Sequence, residues 1–169
     1  MEKVFGATER HDALVVFNRT GRAVLVYGYG EEDGQGYDWR HTFDSVPTKK
    51  QLAEVLVTHI NAQTDAKILT GFVWQGNHVY LSMENQFNFK TAYDVAVLMQ
   101  GATLPVKFKL GEDADGNPVY HTFEDMVEFT DFYTKAVAFV NLTLNEGWQL
   151  KDDAVAWAAQ QATSDADGQ

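Results

Sequence analysis

The chain has 169 residues, a formal net charge of −11 from 24 acidic against 13 basic side chains, and no cysteine. This length supports one compact domain with room for a small appendage. The missing cysteine removes disulfide scaffolds, thiolate zinc sites and cysteine nucleophiles. The acidic balance, with no Lys/Arg cluster to offset it, argues against binding a nucleic-acid backbone.

The opening residues MEKVFGATERHD lack the apolar core of a secretory signal. No apolar run approaches the roughly 20 residues of a membrane-spanning helix. The expectation is synthesis in the cytoplasm and no membrane insertion. ALVVF (13–17) and AVLVY (23–27) are β-branched runs on either side of Asn18-Arg19-Thr20-Gly21-Arg22, a hairpin signal. YGYGEEDGQGY (27–37) then reads as a mobile, glycine-rich loop. Its acids Glu31, Glu32 and Asp33, and its lack of a Lys, oppose a phosphate cradle. Tyrosine mixed with glycine suits adaptable contacts, although a solvated connection between strands has the same composition. Tyr27, Tyr29, Tyr37 and, just beyond, Trp39 are therefore candidate contact residues. WRHTF (39–43) predicts a third strand, and the β-rich N-terminal segment is taken as 1–45.

Thr48 and Gln51 form a capping-box pair after Pro47. Leu52, Val55, Leu56, His59 and Ile60 follow helical spacing, which predicts a helix ending near 62–64. In GFVWQGNHVYL (71–81) a Gly76-Asn77 turn pairs Trp74 with Val79 and Phe72 with Leu81. Those four then share an apolar face. Gln75, His78 and Tyr80 share the other with Val73, and stay open as a candidate contact surface. Ser82 caps a second helix over 83–100, with Phe89, Ala92, Tyr93, Ala96 and Met99 on one face and Gly101 as its stop.

A strand is expected at 104–110 and another at 119–123, joined by turn residues 112–118. A helix over 124–146 should break at Gly147, with a further helix from Trp148. Asp113, Asp115, Asn117 and Glu124 occupy calcium-loop ligand positions. Pro118 stands where that loop needs glycine, so a tight acidic hairpin is the favoured reading and no metal is assigned. None of the five histidines is at metal-ligand spacing to another, and no nucleophile elbow is present. No catalytic residue and no cofactor is expected. The fold class is α+β: an N-terminal antiparallel β segment (1–45), a domain of hairpins packed on three to four helices (46–160), and a frayed acidic tail (161–169).

KILTGFVWQGNHVYLSMENQFNFKTAYDVAV, GATLPVKFKLG and HTFEDMVEFTDFYTKAVAFVNLTLNEGWQLKD together resemble an uncharacterised domain family. That family recurs in tail-module genes of tailed bacteriophages and prophages, beside or inside tail-fibre and tail-fibre-assembly proteins. The resemblance covers 65–153 through hydrophobic spacings and carries over no catalytic residue. It implies a non-enzymatic, tail-associated structural or adaptor protein of the virion, made in the bacterial host cytoplasm. Its implied partners are other tail or tail-fibre proteins, with several copies obeying the symmetry of the tail. A tail-fibre assembly chaperone absent from the particle is the alternative. A small carbohydrate-binding module using the rings and acids of 27–41 is a further one.

Overall fold

A computed structural model describes residues 1–161. In chain order these form β1 (Glu2–Phe5), β2 (Ala13–Phe17), β3 (Arg22–Glu32), β4 (Gln35–Phe43), α1 (Lys49–Thr70), β5 (Phe72–Trp74) and β6 (Asn77–Val79). There follow α2 (Met83–Leu98), β7 (Val106–Glu112), β8 (Pro118–Phe123) and α3 (Met126–Gln160). Over the described residues the fold is α+β, with antiparallel strands and hairpins and three helices. Apart from Gln161, the expected frayed tail lies outside the described residues.

The chain divides into two compact units, Met1–Ile60 with the chain from Gln149, and Asn61–Trp148. This division differs from the boundary expected near residue 45. A sheet with one apolar face needs a covering layer, and the first unit takes that layer from both ends of the chain. Leu52, Leu56 and Ile60 of α1, with Ala154 and Ala158 of α3, bury Leu25 and Tyr27 of β3.

In the first unit the strand order is β1-β4-β3-β2, antiparallel throughout. Sequence reading missed β1, whose four residues EKVF are short and half charged. The loop expected at 27–37 is a correction: β3 runs to Glu32 and β4 starts at Gln35. Asp33 and Gly34, at φ +50° and +74°, make the two-residue turn whose twist suits a hairpin. The glycines that suggested a loop instead make room for rings. A Cβ at Gly30 would lie 2.3 Å from the Tyr37 ring, and one at Gly36 would lie 3.0 Å from the Tyr29 ring. Gly30 sits directly opposite Tyr37, so the two ring-over-glycine pairs occupy opposite faces of the ribbon.

The capping box of α1 is present, with the Thr48 N–H donating to Gln51 Oε1 (2.9 Å) and the Gln51 N–H to Thr48 Oγ1 (3.2 Å). The helix continues to Thr70, beyond the expected end at 62–64. No breaker intervenes before Gly71, and Ile68 extends the apolar stripe into the second core.

In the second unit the β5–β6 register is Phe72↔Val79, Val73↔His78 and Trp74↔Asn77. The turn is Gln75-Gly76, both at positive φ, one residue earlier than expected. The pairing therefore slips by two residues. A two-residue slip preserves the faces, so Phe72, Trp74, Val79 and Leu81 are all buried as anticipated. The Tyr80 N–H donates to Leu110 O (2.7 Å), which joins this hairpin to β7–β8. Phe123, Phe129 and Phe132 lie at the centre of the core and are fully buried.

Ser82 caps α2, accepting the Asn85 N–H at 3.1 Å. The helix ends in a Schellman arrangement: Gly101 N–H donates to Ala96 O and Gln100 N–H to Val97 O. The left-handed C′ position is thus Gln100, one residue before the expected Gly101, and Met99 is turned out to 52% exposure. Asp125 caps α3 by accepting the N–H groups of Val127 and Glu128. The break expected at Gly147 does not occur, because α3 is one helix of 35 residues. Gly147 is a contact point: a Cβ there would lie 2.6 Å from Thr64 Oγ1 of α1.

Candidate functional site

The residues singled out in sequence fall in both units. In the first, Tyr27 is a correction to the expected contact surface. It faces the helix layer at 7% exposure, 6.1 Å ring to ring from Trp157, with the Arg10 guanidinium 5.5 Å from its ring centre. Burial pushes its hydroxyl above the ordinary tyrosine value, and Arg10 opposes that rise. Tyr29 remains exposed, although its ring is committed to covering Gly36.

Tyr37 and Trp39 are half-buried in a ring ladder, Phe5–Tyr37–Trp39–His59, with successive ring distances of 5.8, 5.8 and 4.7 Å, the first two contacts edge-to-face and the third tilted. Lys3 Nζ stands 4.4 Å from the centre of the Tyr37 ring and pairs with Glu32. Edge-to-face rings over a lysine make a packed aromatic edge and present no flat stacking platform. Lys3, Phe5 and His59 were not foreseen beside the tyrosines. The alternation of Lys3 and Phe5 in EKVF was the available signal. Burial lowers the His59 and His41 pKa values, with the N-terminal ammonium acting in the same direction.

In the second unit His78 and Tyr80 do lie on the outward face, both exposed. Gln75 does not join them. The early turn places it at φ +48°, with its amide 3.4 Å from Glu128 Oε1. Tyr80 borders a cleft of about 510 Å³ with Ser82, Glu84, Asn85, Lys109 and Glu112. The amides in the first turn of α2 serve the backbone: Asn85 Nδ2 donates to Tyr80 O (2.8 Å) and Gln86 Nε2 to Leu81 O (2.7 Å). They pin the strand end to the start of α2.

A polar cluster that the sequence did not announce lies where β5, β8 and α3 meet. Trp74 Nε1 donates to Asp131 Oδ2 (3.0 Å), Lys135 pairs with the same carboxylate, and His121 Nε2 is 3.2 Å from Glu128 Oε1. The bonds from Lys135 and Trp74 hold the Asp131 carboxyl below its ordinary value. His121 also lies against the rings of Trp74 and Phe123 (5.0 and 4.6 Å). With its carboxylates already engaged, this group orients a tryptophan and closes the end of the core.

Of the calcium-loop positions, Asp113, Asp115 and Asn117 form a compact turn, whereas Glu124 follows β8 at the opposite end of the hairpin. Asp113 Oδ1 accepts the N–H groups of Asp115 and Asn117 (2.9 and 2.8 Å), and these bonds hold its carboxyl below the usual range. Among the described residues no group of three or more His, Cys, Asp or Glu is placed to hold a metal ion. No described helix is long and apolar enough to cross a membrane.

Apolar side chains are also left on the surface. Met83 and Phe87, one turn apart on α2, are 87% and 68% exposed. Phe87 walls a groove of about 290 Å³ with Leu81, Tyr133, Val137 and Val140.

The fold defines an α+β protein built of hairpins and long helices around two small cores. Residues 50–168 match the domain of unknown function DUF4376, and the chain belongs to that family. No curated protein and no solved structure matches the chain.

Proposed function

We propose that this protein is a non-enzymatic, tail-associated structural or adaptor protein of a tailed bacteriophage or prophage, acting through protein–protein contacts in the virion. The resemblance of residues 65–153 to tail-module domains supports the setting. One observation carries the contact role, the exposure of large apolar side chains on regular, well-packed elements. Phe87 on α2 borders an apolar groove, Met83 one turn before it is 87% exposed, and Val127 on α3 is 82% exposed. Apolar patches of this kind on ordered elements mark protein interfaces.

The rings and carboxylates, by contrast, are largely engaged internally, which favours a contact role over a sugar platform or an acid–base site. Quantitative mass spectrometry of purified particles against infected-cell lysate tests the reading. The expected result is enrichment in particles at a fixed ratio to tail proteins, reduced by Phe87→Asp. Abundance in lysate with absence from particles overturns it and leaves the assembly chaperone.

A further inference from the structure

The strand β2 has the sequence of a central strand and the position of an edge strand. ALVVF is a continuous apolar run, the pattern of strands covered on both faces. Yet β2 closes one end of the order β1-β4-β3-β2. Leu14 and Val16 lie opposite Leu25 and Ala23 on the covered face, and Ala13, Val15 and Phe17 lie on the other. Val16 is nevertheless 36% exposed on its face, and Val15 and Phe17 are 43% and 49% exposed on theirs. The opposite edge is guarded differently. There β1 is four residues long, carries Glu2 and Lys3, and ends at Gly6 with φ +108°. Charges and brevity are the usual protection of an edge, and β2 has neither charge, proline nor bulge.

We propose that β2 pairs antiparallel with β2 of a second copy of this chain, giving a continuous eight-stranded sheet across a two-fold axis at Val15. Two features of the strand select a second copy as the occupant. In this register Ala13 of one copy faces Phe17 of the other, so each large ring meets a small partner, and Leu14 faces Val16. The flanks are also complementary in charge. Glu9 and Asp12 precede the strand, with Arg10 held on Asp12, whereas Arg19 follows it and Arg22, paired with Asp44, opens β3. Antiparallel pairing lays the acidic flank of each copy beside the basic flank of the other, twice by symmetry. The pairing rests on the sheet alone and holds whether or not the protein resides in a virion.

The test uses the full chain, whose lack of cysteine makes any introduced thiol unique. Sedimentation across a concentration series is expected to show a monomer–dimer equilibrium. Val15→Lys, which sets two ammonium groups against each other on the axis, should leave only monomer while preserving the far-ultraviolet circular dichroism. Val15→Cys treated with a short thiol–thiol cross-linker should give a covalent dimer. Thr42→Cys, exposed on the interior strand β4, should not. A chain that sediments as monomer at every concentration overturns the proposal and leaves β2 to a strand of a different protein. A dimer that survives Val15→Lys, or equal cross-linking at positions 15 and 42, overturns it as well. Particle composition is read separately, so failure here is distinct from failure of the tail-associated reading.

Discussion

At Gly36 an added Cβ would lie 2.0 Å from the carbonyl oxygen of Ala7 and 3.0 Å from the Tyr29 ring. Backbone cannot yield there as a flexible side chain would. Gly36→Ala is therefore expected to destabilise by about 1–3 kcal/mol, the ordinary cost of overpacking, read as a lower urea midpoint at unchanged slope. An unchanged midpoint would show that the segment after β1 does not hold this position.

His59 contributes a pH dependence whose sign follows from its burial. Its folded-state pKa is lowered from 6.5, so the unfolded chain takes up the proton first. The stability it contributes is complete above about pH 6.5 and is lost as the pH falls through the lowered value. His41 is shifted the same way and acts in the same window. Asp113 and Asp131, lowered from 3.8, respond only in more acid solution. The melting temperature should fall between about pH 7.5 and pH 5, and by less in His59→Gln, whose amide does not titrate in this range. Equal falls in the two proteins would remove His59 as the cause. Its burial was legible in sequence because it sits on the stripe of Leu52, Leu56 and Ile60. The burial of Tyr27 was not, because parity along β3 depends on a strand that looked like a loop.

At the scale of elements, apolar periodicity and caps located α1, α2 and the hairpins, whereas glycines misled twice. Glycine at 28–36 and at 147 resembles punctuation, but a single helical glycine costs only about 1 kcal/mol relative to alanine. Packing readily offsets that. Gly147 is where α3 approaches Thr64 of α1, with Oγ1 and Cγ2 at 2.6 and 2.9 Å from a built Cβ. In Gly147→Ala a helix-propensity gain of about 1 kcal/mol opposes an overpacking cost of about 1–3 kcal/mol, so the substitution should be net destabilising by urea denaturation. A Thr64→Ala background leaves only the Cβ of residue 64, at 3.3 Å, which a shift of a few tenths of an ångström relieves, and the same change should then stabilise. If the sign is the same in both backgrounds, Gly147 is not reserved for that approach. The register slip in β5–β6 belongs to this scale too. Gly-Asn and Gln-Gly both offer a positive-φ glycine, and only the chosen turn sets whether Trp74 faces Val79 or Asn77.

For the whole molecule, a net charge of −11 opposes non-specific association at neutral pH without preventing a specific pairing of two copies. Lowering the pH toward the isoelectric point near 4.7 removes that repulsion. Light scattering should then rise to a maximum close to that pH and fall again below it. Scattering that is flat through this range would mean that surface patches, and not net charge, govern association.

The sequence by itself determined the α+β class, the capping box of α1, the Ser82 start of α2 and the inward faces of the hairpins. Each is a local property: a propensity, a cap, or an alternation of period two or 3.6 that any packing must respect. The rest required the tertiary structure. Which glycines are turns and which admit a ring or a neighbouring helix depends on what approaches them from elsewhere in the chain. Likewise, the continuous apolar run of β2 reads as a central strand until the sheet order places it at an edge. Neighbours distant in sequence decide such questions, because exposure and steric approach are properties of pairs of elements and are written in neither element alone.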